Sequence, residues 1–590
     1  MAGGLMNLVA YGNQNVILNG NPSKTFFKFT YSKYTNFGLQ KFRIDMTGQR
    51  VLNLTQESKF TFKVPRYADL LMDTYLAINL PTIWSPVLAP SDCSGQWRPY
   101  EFKWIKNLGS QLIKEVTFSV GGQTIQKFSG DYLYNMVERD FNADKKNLYY
   151  RMTGNVPEFN DPANYNNNGG FYPNAWYTDN PLGTQPSIQG KTLYIPINIW
   201  FTLASKMAFP LVSMQYNELH IDFTLRPINE LFVIRNVLDP LVLNGLLPIS
   251  KAPYIQANQN ESLYHFYRFL QQPPAALLTD TGNEYVNKSN SWNADIHLMS
   301  TYGFLSPEEV NVFALQPQSY LIKEVHEFKD DNISGNKRVK IDSLGMVSNW
   351  MFYLQRTDVA IRNEWTNYSN WPYENIPHEL IAADPSGTLV VDCSSISPCC
   401  SEDVSGTLID GIYYKPNLNV PMATLGYGPG TNPGKHYAGS GIKVTGVYNE
   451  ENYKDIMKTF GILLDGKYRE NVMPVGVYEL IEKYIRTPGD AGDGLYCYNF
   501  CLNTDPFDFQ PNGAMNLSKF NQIELEVQTN SPPLDASAQV LTICDASGAI
   551  IGINKPVWNI FKYTYNFKLM EERYNVLKFI SGNAALMYAR

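Results

Sequence analysis

Charge is scarce in this sequence. Asp, Glu, Lys and Arg make up 17% of its 590 residues, against roughly a quarter in an average soluble protein. There is no basic block and the formal net charge is −7, so the electrostatic footprint of a nucleic-acid binder is missing and no direct nucleic-acid contact is expected. Histidine is also rare, six residues scattered along the chain, which leaves no visible metal cluster and no expected cofactor. The seven cysteines are Cys93, Cys393, Cys399, Cys400, Cys497, Cys501 and Cys544. Their number is odd and their spacing is not that of a disulfide scaffold, which fits reduced thiols and folding in a cytosol. Cys497 and Cys501 lie four apart in a strand-like stretch, where they share a face but stand too far apart to bond. No apolar run approaches the length of a bilayer span. Met1 to Gly20 carries no Lys or Arg and interrupts its apolar residues with Asn and Gln, unlike a secretory signal.

Aromatic and turn residues are plentiful: 39 Tyr, 31 Phe, 41 Gly and 36 Pro. Few charges, many aromatics and many turns point to a β-rich protein with long loops. The same composition suits surfaces that are buried against neighbours, because interface cores lose charge and gain aromatics. The length exceeds what one hydrophobic core supports, so at least two domains are expected.

Period-two alternation dominates. Phe27, Phe29 and Tyr31 alternate with polar residues, as do Phe60, Phe62 and Val64. Val116, Phe118 and Val120 run into Gly121-Gly122, a hairpin signature. The strongest strand reads Phe561, Tyr563, Tyr565, Phe567, Leu569. Each such strand has one apolar face that must pack on another sheet. Three short helices are expected: Gly130 to Asp140 with Asp131 as its cap, Asn452 to Leu464 ended by Gly466, and Val477 to Ile485. Two stretches rich in Asn, Gly, Pro and Tyr, 144–190 and 364–441, are expected as long loops.

Two distant segments resemble each other. Tyr194 to Phe201, with a central Asn198, is followed by Asn217-Glu-Leu-His-Ile-Asp-Phe223. Leu495 to Leu502, with a central Asn499, is followed by Asn521-Gln-Ile-Glu-Leu-Glu-Val527. The Asn markers are 19 and 22 residues apart, and a short helix precedes the pair in both halves. The order of helix, strand, loop and strand predicts two copies of one β-sandwich in tandem.

Catalytic motifs fail at required positions. His378-Glu379 begins like a zinc-binding HExxH helix, but Ala382 stands where the second His must be. Gly428 to His436 has one residue too many for a phosphate loop, His436 where Ser or Thr is needed, and two prolines that remove amide donors. The carboxylate pair Asp330–Asp331 reads as a solvated turn. No catalytic residue is assigned and no enzyme is expected. Asn53, Asn260, Asn287, Asn332, Asn367 and Asn516 each precede x-Ser/Thr; Asn367, Asn332 and Asn287 are the candidates for glycosylation. No role follows from the sequence for Cys399–Cys400.

Several blocks resemble the major capsid proteins of nucleocytoplasmic large DNA viruses, and the opening and length are most similar to the mimivirus-like branch. They are Met1-Ala-Gly-Gly-Leu-Met-Asn-Leu-Val-Ala-Tyr-Gly12 with Phe26-Phe27-Lys28, Asn229-Glu-Leu-Phe-Val-Ile-Arg235, Leu354-Gln-Arg-Thr-Asp-Val359 with Arg362-Asn-Glu-Trp365 and Asn367-Tyr-Ser-Asn-Trp371, Gly494-Leu-Tyr-Cys-Tyr-Asn-Phe500, and Tyr574-Asn-Val-Leu-Lys-Phe-Ile-Ser-Gly582. The resemblance implies an all-β double jelly roll, two tandem eight-stranded sandwiches with a few short inserted helices. The expected division is an N-terminal arm over 1–24, a first jelly roll over 25–228, a linker over 229–256, and a second jelly roll over 257–590 carrying the loop near 364–441. It also implies homotrimers forming pseudo-hexagonal capsomers that tile an icosahedral shell, assembled in host cytoplasm. Partners would be neighbouring capsomers, minor capsid and penton proteins, with an internal membrane nearby. Viruses of this type can carry their own glycosylation machinery, which bears on the Asn candidates. The competing reading, from abundant Tyr, Trp and Asn in long loops, is a carbohydrate-binding or carbohydrate-cleaving β-sandwich.

Overall fold

In the computed structural model, residues 3–588 are described except 47, 49–50, 90–96, 244–248, 250–251, 280, 374–388, 391–404, 410–411, 415–449, 536–540, 546 and 555–559. Two sandwiches account for the core. The first is built from β1 (Phe37–Asp45), β2 (Ser58–Val64), β3 (Leu70–Asn79), β4 (Ile113–Val120), β5 (Gln123–Phe128), β6 (Thr192–Pro196), β7 (Phe209–Pro210), β8 (Leu219–Leu225) and β9 (His297–Leu305). The second uses β10 (Gln318–Ile333), β11 (Asn336–Ile341), β12 (Met346–Arg356), β13 (Met457–Leu464), β14 (Lys467–Pro474), β15 (Leu495–Asn499), β16 (Met515–Asn516), β17 (Ile523–Thr529) and β18 (Tyr565–Ile580).

The two units have one topology. One sheet runs β1-β9-β3-β7 with β6 also on β3, and its counterpart runs β10-β18-β12-β15 with β16 also on β12. The facing sheets run β2-β8-β4-β5 and β11-β17-β13-β14. Every strand of the first unit therefore has its equivalent nine strands later, and all the pairings given are antiparallel. Alternation explains why these residues pair so. β2 and β8 bury every second side chain, and β17 does the same, so one face of each faces the opposing sheet and a one-residue slip would turn it outward. In the second core, Phe352 stacks on Phe460 at 4.5 Å between ring centres and Tyr478 donates to the Phe460 carbonyl at 3.1 Å.

After the fifth strand of each unit comes a helix. In the first it is α1 (Gly130–Asp140), capped by Ser129, whose Oγ accepts from the Tyr132 amide. The cap is thus Ser129 and not Asp131, whose carboxylate is drawn to Lys568. In the second it is α2, a π-turn over Val477–Ile481 continued by an α-helix over Glu482–Arg486.

Four other expectations change. The segment expected as a helix from Asn452 to Leu464 forms β13 instead. Its apolar run is hydrogen-bonded between β17 and β14, and Asp465-Gly466, at φ 48° and 76°, makes the tight turn into β14. The loop expected at 144–190 opens with a helix over Ala143–Thr153, capped by Asn142. Phe27, Phe29 and Tyr31 form no strand and are 99%, 77% and 80% exposed, because among the described residues no sheet edge pairs with them. The boundary between units also moves. β9 lies beyond the expected linker, yet it is inserted between β1 and β3, so the first unit closes only at Leu305. The 229–256 stretch is not a bare tether, since its strand Phe232–Arg235 pairs with Lys103–Trp104 of the first unit. Of the 364–441 loop, residues 364–373, 389–390, 405–409 and 412–414 are described, the last three as short strands. His378 to Ala382, Gly428 to His436 and Cys399–Cys400 lie outside the described residues.

Candidate functional site

The most built part of the molecule is the junction between the sandwiches. α1 belongs to the first unit by chain order but is buried on nearly every face. Its start is tied to the second unit. Ser129 donates through its amide and hydroxyl to Glu327 of β10 at 2.8 and 2.7 Å. Lys568 of β18 reaches Asp131 at 2.8 Å and Glu327 at 3.0 Å, and Tyr353 of β12 donates to Asp131 at 3.1 Å.

The end of α1 carries a fully buried ionic network. Arg139 donates to both Asp140 oxygens at 2.9 and 2.6 Å, to Glu572 at 2.7 Å and to Asn349 at 2.7 Å. Asn349 in turn donates to Glu572 at 2.9 Å, Tyr132 to Glu572 at 3.1 Å, and Thr504 to Asp140 at 2.6 Å. The Arg139 side chain is 0% exposed and that of Glu572 3%. Burial alone would favour the neutral acid at Glu572. The Arg139 guanidinium, the Lys323 ammonium and the Asn349 amide outweigh it and hold the carboxyl down to about 2. Beside this network, Glu571 takes bonds from Arg573, Ser343 and the Trp350 indole. Charge buried with every partner in place fixes how two surfaces sit, because removing one partner strands the other. Apolar contact continues across the junction, with Met351, Leu495, Cys497 and Met570 of the second unit in one cluster with the core of the first.

The sequence contained a signal for this network: Lys568, Glu571, Glu572 and Arg573 interrupt a long strand that is otherwise rich in apolar and aromatic residues. Alternation alone did not show that partners of Lys568 and Glu572 come from α1, more than 400 residues earlier.

Of the glycosylation candidates, Asn287 and Asn332 are exposed. Asn287 Oδ1 accepts from the Ser289 amide, and Asn332 sits at φ 60° with Oδ1 accepting from Thr564. Asn367 is 3% exposed. Its amide donates to the Trp371 carbonyl and its oxygen accepts from the Ser369 amide and hydroxyl; it lines a polar cavity of about 440 Å³ between the units, with Tyr134, Glu138 and Asp493. Asp330 pairs with Lys337 at 2.7 Å. Among the described residues no group of three or more His, Cys, Asp or Glu is placed to hold a metal, and no helix is long and apolar enough to cross a membrane. Cys497 and Cys501 are free and buried.

Two copies of one sandwich, locked side by side by a helix, define the double jelly-roll class of viral capsid proteins. The fold is shared with the PBCV-1 virus capsid (TM-score 0.55, 18% identity, 96% of this chain and 100% of that one) and with the Faustovirus major capsid protein (TM-score 0.54, 11% identity, 94% and 93%). Residues 25–271 match the family described as major capsid protein N-terminus, and residues 309–585 that described as large eukaryotic DNA virus major capsid protein. Similar relatives include the major capsid proteins of Chrysochromulina ericina virus, 23% identical over 650 residues, and of Paramecium bursaria Chlorella virus 1, 24% identical over 593, each alignment covering 100% of both chains. Capsid protein 1 of Acanthamoeba polyphaga mimivirus is 29% identical over 236 residues, 40% of this chain and 36% of that one. The chain belongs to the major capsid proteins of large eukaryotic DNA viruses, and it is a structural component of the virion capsid.

Proposed function

We propose that three copies form a pseudo-hexagonal capsomer and that these capsomers tile an icosahedral shell. The observation that carries this reading is the repetition of one nine-strand unit, the two copies joined by a buried ionic and apolar junction. Three chains bring six near-equivalent sandwiches into a ring, and a near-sixfold block packs edge to edge in a plane. Head-to-tail contacts that close on themselves suit an odd number of chains. The role is structural, with no catalytic step and no cofactor. Minor capsid and penton proteins would complete the shell, an internal membrane would lie beneath it, and assembly would take place in host cytoplasm. The arm before β1 supports a contact outside the chain. No residue from 3 to 36 is buried, and Ile17, Leu18, Phe26 and Phe27 are 84–104% exposed. Asn287 and Asn332 are the proposed glycosylation sites, since both are exposed while Asn367 is enclosed.

Negative-stain microscopy and mass measurement of the purified chain test the reading. Trimers and flat hexagonal arrays are expected. Dispersed monomers that bind or cleave glycans would overturn it.

A further inference from the structure

α1 and α2 occupy the same place in the two units, and only one of them is covered. Superposing Gly130-Asp-Tyr132 on Gly476-Val-Tyr478 puts Leu480, Ile481, Tyr484 and Ile485 at the positions of Tyr134, Asn135, Glu138 and Arg139. On α1 this is the face turned to the second sandwich. Asn135 donates to the Met570 sulfur at 3.9 Å, Arg139 reaches Asn349 and Glu572, and Tyr134 lies 6.5 Å from Tyr368 between ring centres. On α2 the same face is bare. Leu480 is 63% exposed, Ile481 51%, Tyr484 91% and Ile485 60%. Four adjacent large apolar side chains on one helix face form the kind of patch that marks an interaction site.

The receiving surface is duplicated too. Aligning Asn499 with Asn198 makes β15 the equivalent of β6. The register then carries Met351 and Met570, paired on β12 and β18, onto Tyr75 and Met299, paired on β3 and β9. It also carries Leu495 onto Tyr194. In the second sandwich this outer face is sealed: Met351 and Met570 are 0% exposed and Leu495 3%. In the first it is open, with Tyr194 44% exposed and Tyr75 and Met299 only partly buried. One chain therefore contains one completed contact and two unfilled halves of a second.

We infer that α2 of one copy docks on the outer face of the β1-β9-β3-β6 sheet of a second copy, repeating between chains the contact that α1 makes within one. The inference rests on the trimer reading and names its surface. The chemistry of the two helices fits the difference. α1 presents Asn135, Glu138 and Arg139 to a junction built once during folding, whereas α2 presents only apolar and aromatic side chains, as the desolvated centre of an interface between chains does. Because donor and acceptor are different patches, the contact is heterologous and propagates around a ring.

Two single variants of the full chain, Ile481→Cys and Met299→Cys, are co-expressed and treated with a mild oxidant. The equivalent pair within the chain, Asn135 and Met570, is in side-chain contact. A disulfide-linked dimer that appears only when both variants are present is the expected result, with each variant alone as the control for the native cysteines. In parallel, the double variant Ile481→Glu, Ile485→Glu should keep the wild-type circular dichroism and weaken self-association roughly 30-fold or more. A trimeric wild type with no cross-link, and with the double glutamate variant equally trimeric, overturns this inference and leaves the trimer standing. A wild type that stays monomeric up to tens of micromolar overturns both.

Discussion

Replacing Arg139 by Met tests whether the buried network holds the two sandwiches together. The substitution preserves much of the volume and removes the cation that serves Asp140, Glu572 and Asn349 at 2.6–2.9 Å. Asp140 and Glu572, with side chains 0% and 3% exposed, would be left buried without their main counter-charge. Breaking a buried pair by deleting one partner costs about 3–5 kcal/mol. At a few degrees per kcal/mol for units of this size, the melting temperature should fall by roughly 6–15 °C. Scanning calorimetry at fixed protein concentration measures the drop. Adding Asp140→Asn and Glu572→Gln to Arg139→Met removes the stranded charges and should recover most of the loss. If Arg139→Met shifts the melting point by less than about 2 °C, or if the triple variant is worse than the single one, the network is not what fixes the junction.

Acid should loosen the same junction. The Glu572 carboxyl is held at about 2 in the fold, below its unfolded value of about 4.3. Its contribution is therefore whole above the unfolded value and is lost as pH falls toward about 2; the melting temperature against pH reads it, and a flat trace between those limits would refute it. Gly130→Ala should destabilise by about 1–3 kcal/mol or more, because a Cβ there would meet the Ser110 and Ile113 carbonyl oxygens at 2.0 and 2.2 Å; an unchanged melting point would count against the close approach. Burial pushes the Cys497 thiol up to about 12, so peptide mapping after native iodoacetamide treatment at pH 8 should find exposed Cys544 labelled and Cys497 untouched. Deleting residues 1–24 should leave trimers intact and impair shell assembly, and normal particles from that deletion would remove the arm from assembly.

The sandwich strands were legible wherever one face is buried and the other wet, as in β2, β8 and β17. There a period of two is the direct record of packing. The same rule over-read Phe27 to Tyr31, because alternation records a capacity for pairing and not the presence of a partner. It under-read β13, whose continuous apolar run also satisfies helical spacing. Its identity as a strand is decided by pairing on both sides, with β14 across the tight turn and with β17 far along the chain. The repeat was visible through Asn198 and Asn499, although Asn198 marks a turn at φ 49° just past the end of β6 and not a strand centre. The position of β9 was not legible. Nothing near residue 300 states that its neighbours are β1 and β3, so the domain boundary was drawn too early. The bare face of α2 and the open face of the first sheet emerge only when the two units are compared in space.

The position of β9 also sets a clock. It is an inner strand of the first unit, yet it is synthesised some 250 residues after β1, a delay on the order of tens of seconds at ordinary translation rates. The charged end of α1 waits longer still, since Glu572 on β18 lies 433 residues beyond Arg139. The first sandwich can close only once Leu305 has been made, and the second only once β18 has. Prematurely terminated chains would keep an open sheet and a stranded Arg139, which marks them for chaperones and proteases. The junction between the sandwiches therefore closes only after both units have been made, because Arg139 has no Glu572 until β18 exists.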